Sequence, residues 1–205
     1  AMPAADVVLV CVGTPSREDG SLNLDHVKRA CAEVGSAIAS TGRFTTVVIR
    51  STMLPGSVLD ELAPVIEQAA GRKAGQKFGV AYNPEFLREG TAVDDFNNAE
   101  YTVIGAGCER SGAALKALYD GVGGELFVTS IPEAEMLKYV NNSFHALKVA
   151  FANEVGRICK REGVDSHAVM KLMVRDTKLN LSPYYLSPGF AFGGPERQRA
   201  MLEEE

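Results

Sequence analysis

The sequence lacks most of the features that would place a protein at a membrane or on a polyanion. In 205 residues there is no apolar run of the roughly eighteen needed to span a bilayer, and no secretory leader pattern opens the chain. No internal repeat is found, and no low-complexity tract apart from a polar tail over residues 195–205. A basic excess is also missing: the net charge of −5 argues against a nucleic-acid partner and against an anionic membrane surface. It leaves room for a single anionic ligand, because backbone amides and one well-placed lysine can hold one locally. The four cysteines, Cys11, Cys31, Cys108 and Cys159, never fall in C-x-x-C spacing. Cys11 lies in an apolar strand pattern and Cys31 on an apolar helix stripe. Buried, reduced thiols in a cytoplasmic protein are therefore expected, with no metal.

What is present is apolar material, 46% of the residues, enough for one full domain and part of another. Residues 7–12 form a continuous apolar run of the kind buried on both faces of a sheet. The five residues before Asp6 read as a cut edge or an added leader. Residues 23–39 set Val27, Ala30, Cys31, Val34 and Ile38 at helical spacing, and residues 57–69 do the same ahead of Gly71. Runs at 45–49, 78–82, 101–104 and 125–129 predict strands, with a helix at 109–119 before the last of them. Strands alternating with helices predict a parallel α/β sheet. After Pro132 the pattern becomes one helix over residues 132–161, ~45 Å long at ~1.5 Å per residue. A stripe from Leu137 through Val140, Phe144, Leu147 and Phe151 to Ile158 runs along it. Such a helix leaves one domain and organises the next, or packs against a partner subunit, so the boundary is placed near residue 131. A short helix over 167–174 and an irregular aromatic segment over 180–194 follow.

Four segments carry candidate chemistry. Val12-Gly13-Thr14-Pro15 follows the first strand, and ligands of open α/β sheets sit beyond strand carboxyl ends. Taken alone it is also an ordinary strand-to-loop turn. Arg50-Ser51-Thr52-Met53-Leu54-Pro55-Gly56 repeats the logic, opening a helix whose free N–H groups suit either an anion or a simple cap. Asn83-Pro84-Glu85-Phe86-Leu87-Arg88-Glu89 sets two carboxylates four residues apart. If it turns helical after Pro84 they share a face, and Arg88 is placed to neutralise one. Lys138, Asn142 and His145 form a row on the long helix, beside its apolar stripe. A lysine and an amide reaching a half-buried site can hold an alkoxide-like oxygen or orient water; a solvated helix face has the same sequence. The glycines of Gly105-Ala106-Gly107 imitate a dinucleotide loop, but Arg110 stands where G-x-G-x-x-G/A needs a small residue, and Glu125 begins a strand instead of ending one.

In order, V-G-T-P (12–15), R-S-T-x-L-P-G (50–56), N-P-E-F-L-R-E-G (83–90), E-M-x-K-Y-x-x-N (135–142), F-A-N-E (151–154) and K-L-N-L-S-x-Y-Y-x-x-P-G-F-A-F-G-G (178–194) resemble the UDP-glucose/GDP-mannose dehydrogenase family across most of the chain. The last segment is more similar to the members that oxidise GDP-mannose. The resemblance implies part of an NAD-binding Rossmann-like domain over residues 1–131. It implies a helical central and dimerisation domain with a substrate loop over 132–194. The activity implied is NAD-dependent oxidation of a nucleotide sugar (GDP-mannose or UDP-glucose) at its sixth carbon, from alcohol to carboxylate, for polysaccharide biosynthesis. In that scheme two NAD act in turn and a cysteine captures the intermediate aldehyde. By resemblance Thr14 and Thr52 line the NAD site, with Thr52 also near the reacting water. Glu85 becomes the base for hydrolysis, and Lys138 and Asn142 stabilise the oxyanion. Glu89, His145, Asn153, Tyr184, Tyr185, Phe190 and Gly193, with Lys138 and Asn142, contact the nucleotide sugar, and a homodimer built on the long helix is implied.

The chain departs from the family pattern in two places. No glycine-rich cofactor loop precedes Val7, and Gly193-Gly194 is followed by Pro195-Glu196-Arg197, with glutamate where the family carries its nucleophilic cysteine. An incomplete, inactive portion from a truncated or frame-shifted coding sequence is therefore expected, lacking the carboxy-terminal sugar-nucleotide domain and associating through its cut sheet edge. The alternatives are a non-catalytic nucleotide-sugar-binding or dimerisation module, a UDP-glucose 6-dehydrogenase, and a single-step β-hydroxyacid dehydrogenase with its own Lys-x-x-x-Asn row.

Overall fold

The computed structural model describes residues 5–178, 180, 181 and 186. The chain forms two compact units, residues 1–144 and 145–205. In the first, β1 (Val7–Val10), β2 (Thr45–Ile49), β3 (Phe78–Tyr82), β4 (Tyr101–Ala106) and β5 (Glu125–Thr129) make one sheet, ordered in space as in sequence. Side chains alternate between its two faces. On one face Val47, Ile49, Val80 and Tyr82 share a core with Val27, Cys31 and Ile38 of α1 (Asp25–Ala39) and with Ile66 of α2 (Ala63–Ala70). On the other, Val48, Ala81 and Ile104 meet Leu115 of α4 (Glu109–Leu118) and Tyr119 just beyond it. A π-helical turn, Ser57–Leu62, leads into α2.

The sheet is not wholly parallel. β1–β2, β2–β3 and β4–β5 pair in parallel, but β3 and β4 are antiparallel, with Ala81 opposite Ala106 and Tyr82 opposite Gly105. A parallel step needs a crossover, usually a helix laid across the sheet. Between β3 and β4 the chain has only an irregular segment and α3 (Ala92–Asn97), six residues of which none is buried. With no residue buried, α3 is not a covering layer, and β4 runs back beside β3.

Gly105 and Gly107 have a packing role, as their mismatch to a cofactor loop implied. A Cβ on Gly105 would lie 2.8 Å from the Ile131 Cα and 2.9 Å from the Ala134 Cβ, while one on Gly107 would lie 2.6 Å from the Val80 carbonyl oxygen. The missing side chain at Gly105 lets α5 (Ile131–Glu162) start directly against β4. That start is fixed by a capping box: Ser130 N–H (3.0 Å), Ser130 Oγ and Thr129 Oγ1 all donate to the Glu133 carboxylate. The Thr129 hydroxyl first, then Ser130, holds that carboxyl at about 2.

The second unit contains the rest of α5 and α6 (Ser166–Met173), whose first N–H groups, from His167 and Ala168, are capped by the Asp165 carboxylate. All four cysteines are free. Cys31 is fully buried, and burial pushes its thiol up to about 11. Cys11, expected inside, is exposed, because β1 ends at Val10. No described helix is long and apolar enough to cross a membrane. Replacing Gly105 with alanine should destabilise the protein by roughly 1–3 kcal/mol, the usual cost of overpacking. Denaturant melts check this, and an unchanged midpoint would show that α5 retreats freely from β4.

Candidate active site at the strand carboxyl ends

The loops after β1 and β2 are stitched together. Thr14 Oγ1 donates to the Thr52 carbonyl at 3.2 Å and Ser51 Oγ donates to the Val12 carbonyl. Both threonines are half-buried, and Gly13 beside them faces open space. The N–H groups that open the following helix do not await an outside anion. Gly56 N–H donates to Glu135 Oε2 at 2.8 Å and Val58 N–H to Glu135 Oε1 at 2.9 Å. Glu135 is fully buried near the start of α5. Burial pushes its carboxyl up, the two N–H bonds pull it down, nearby Asp60 adds to the rise, and the net shift is upward.

After β3 the chain stays irregular from Asn83 to Arg88. The helix expected after Pro84 does not form, so Glu85 and Glu89 share no helix face. Glu85 accepts a local bond from Leu87 N–H at 2.8 Å, an alternative to helical pairing. Arg88 neutralises neither glutamate: its N–H (2.9 Å) and Nε (3.1 Å) donate to Asp95, whose carboxyl is held well below the usual range by that guanidinium. Glu89 is exposed. The partner of Glu85 is Lys138, only 6% exposed, which donates to the Glu85 carbonyl and, at 3.0 Å, to its Oε1. Burial alone would raise the Glu85 carboxyl. The Leu87 N–H, the Lys138 ammonium and the Arg50 charge outweigh it, and the group lies below its ordinary value.

Beside Glu85 opens a cleft of about 320 Å³, lined by Arg50, Asn83, Phe86, Tyr101 and Tyr119 among others. Its floor is a polar knot. Arg50 and the Tyr119 hydroxyl donate to Asn83 Oδ1, and Asn83 Nδ2 donates to the Val103 carbonyl at 2.8 Å. The residues just past β2 and β3, the middle of β4 and the residue just past α4 are tied there.

Of the residues singled out in the sequence, Thr14 meets Thr52 and Glu85 meets Lys138. Asn142, one turn beyond Lys138, is exposed. His145 and Asn153 are exposed in the second unit. Tyr184, Tyr185, Phe190 and Gly193 lie outside the described residues. Sequence reasoning missed Glu135, although an acid in the apolar first turns of α5 was a visible signal. It also missed the Arg50–Asn83–Tyr119 knot, whose partners are too far apart in sequence to leave a local pattern. Among the described residues no three His, Cys, Asp or Glu side chains gather as metal ligands would.

Hydroxyls and a lysine–carboxylate pair gather at the carboxyl ends of strands in an α/β sheet, where ligands of such sheets bind. The chain belongs to the UDP-glucose/GDP-mannose dehydrogenase family: its NAD binding domain matches residues 1–122 and its central domain residues 132–201. GDP-mannose 6-dehydrogenase of Pseudomonas putida is 48% identical over 204 residues, 98% of this chain and 47% of that protein. A UDP-glucose 6-dehydrogenase of Haloferax volcanii is 38% identical over 194 residues, 92% of this chain and 45% of that one. The crystal structure of a ternary complex of GDP-mannose dehydrogenase from Pseudomonas aeruginosa superposes with a TM-score of 0.91 at 45% identity, covering 99% of this chain and 47% of that one. The chain thus spans about half the length of the curated relatives it matches.

A carboxyl whose pKa is depressed on folding adds stability above its unfolded value, near ~4.3 for glutamate, and loses that contribution as pH falls through the folded one. The protein should therefore be more stable than its Glu85→Gln variant at neutral pH, with the gap closing as Glu85 is protonated in acid. Denaturant midpoints of both across that range are the check; a gap unchanged in acid would mean the Lys138 pairing adds nothing.

Proposed function

We propose that this chain is the cofactor- and sugar-handling portion of an NAD-dependent nucleotide-sugar 6-dehydrogenase of the GDP-mannose type, acting in the cytoplasm. The observation that carries this reading is the buried Lys138, held by Glu85 at the strand ends where Thr14 and Thr52 meet. A nearly buried ammonium is a preorganised charge for the oxygen on the sugar's sixth carbon as that oxygen gains negative charge. In this reading the exposed Asn142 amide, one turn on, binds the same oxygen or a water. Glu85, ionised at neutral pH, takes a proton from attacking water in the hydrolytic step. When Lys138 turns to substrate, Glu85 loses the partner that depresses its pKa and becomes the stronger base. Glu89, His145, Asn153, Tyr184, Tyr185, Phe190 and Gly193 contact the nucleotide sugar in this proposal.

The residues present fit one part of NAD, which accepts hydride when bound. The half-buried Thr14 and Thr52 hydroxyls beside the open space at Gly13 would line it. Glu196 occupies the position that the family resemblance gives to the nucleophilic cysteine, so aldehyde capture has no thiolate there. Purified chain given NAD and GDP-mannose should bind the nucleotide sugar yet produce no NADH absorbance. Sustained NADH formation would overturn the inactivity, and absence of any GDP-mannose binding in calorimetry would overturn the assignment itself.

The homodimer belongs to the same proposal. Leu147, Phe151 and Ile158, predicted as an apolar stripe, are 63%, 49% and 55% exposed on α5. A second copy covering them would remove that area from water at about 25 cal/mol per Å². Sedimentation should show a dimer that Leu147→Lys with Phe151→Lys converts to monomer; a monodisperse monomer before substitution refutes it.

A further inference from the structure

We propose that Glu135 is the positioning residue of the cofactor loop: its two carboxylate oxygens fix the backbone at Gly56 and Val58, and through it Thr52, against the helix turn that carries Lys138. The inference rests on the functional reading above and adds to it a residue outside the substrate-contacting set.

The chemistry of the contact specifies glutamate. Two N–H donors point inward, and each meets its own oxygen, Oε2 for Gly56 at 2.8 Å and Oε1 for Val58 at 2.9 Å. A glutamine offers one acceptor and would turn an NH2 group against the second N–H; an aspartate is one methylene short. The donors are aimed by a left-handed turn at Gly56, where φ is +91° and a Cβ would lie 2.9 Å from Asp60 Oδ2. A fully buried carboxylate is retained only where such donors compensate its lost hydration.

The loop is held from below as well. Met53, next to Thr52, is fully buried in the same core as Tyr82. The Tyr82 hydroxyl is buried and comes near the Met53 amide without closing a hydrogen bond of normal geometry. Burial, with the Glu135 and Glu85 charges, keeps it neutral. Packing thus fixes the depth of the loop, Thr14 and Ser51 tie it to the loop after β1, and Glu135 is its hydrogen-bonded tie to α5. Lys138, three residues on and so on the same helix face, holds Glu85. One helical turn thus sets the spacing between the cofactor threonine and the acid–lysine pair.

The test compares the unsubstituted chain with Glu135→Gln, and with Thr52→Ala as a control, by amide NMR and NAD titration. Glu135→Gln should move the Gly56 and Val58 amide signals upfield and speed their exchange, leave α1 and β2 amides in place, and weaken NAD binding about tenfold, as losing a charge-assisted hydrogen bond does. Thr52→Ala should weaken NAD binding while those two amides stay put. If Glu135→Gln does not fold, acid titration of the unsubstituted chain substitutes for it, because both amides must then shift together as Glu135 is protonated. Unmoved amides, or unchanged NAD affinity in Glu135→Gln, overturn the inference and leave the functional reading intact. An unsubstituted chain that binds no NAD refutes the cofactor reading, and the amide signals alone then decide whether Glu135 holds the loop.

Discussion

Two oppositely charged side chains buried one turn apart in α5 organise this molecule. Glu135 is satisfied by backbone N–H groups of the loop after β2, and Lys138 by the carbonyl and carboxylate of Glu85 after β3. Each charge is tied to its loop by hydrogen bonds to a charged group, a kind worth about 1.5–3 kcal/mol. The loops hold the helix and the helix spaces the loops. The first turns of α5 can approach closely because Gly105 has no side chain, so the glycine that resembled part of a cofactor fingerprint serves the site from the opposite side of the packing.

The direction of β4 shapes the rest. Because α3 has no buried face, the chain after β3 turns back and β4 runs antiparallel. The turn-back segment becomes the wall of the cleft beside Glu85, with the Phe86 ring tilted at 60° against Tyr101, centroids 5.3 Å apart, and Arg88 clamped to Asp95. The polar knot of Arg50, Asn83 and Tyr119 then joins the ends of β2 and β3 to the middle of β4 beneath that wall.

Electrostatically the site is poised. Glu85 lies below its ordinary pKa while bonded to Leu87 N–H and Lys138, and Glu135 lies above its own because burial dominates. One carboxyl is kept ionised by the Leu87 N–H, Lys138 and the Arg50 charge; the other is committed to the backbone N–H groups of Gly56 and Val58. Environments that push two carboxyls apart assign them different roles. In the proposed function one role is chemical and the other architectural.

The sequence by itself determined the elements and most of the motifs. Strand runs at 45–49, 78–82 and 125–129 and the helical stripes follow from local periodicity, and strand ends gathering ligands bring Thr14 and Thr52 to one end of the sheet, while the pairing of Glu85 with Lys138 left no such mark. It misjudged the helix after Pro84, the partner of Arg88 and the burial of Cys11, since each depends on a local competition that residue type alone does not weigh. Only the tertiary structure decided that β4 runs antiparallel, that Arg50 meets Tyr119, and that Glu135 occupies the helix start at Gly56. Periodicity records which face of an element is apolar. Which distant polar group satisfies a buried charge is settled by packing, because any donor brought within hydrogen-bond reach will serve, and the chain leaves no local mark of which one it will be.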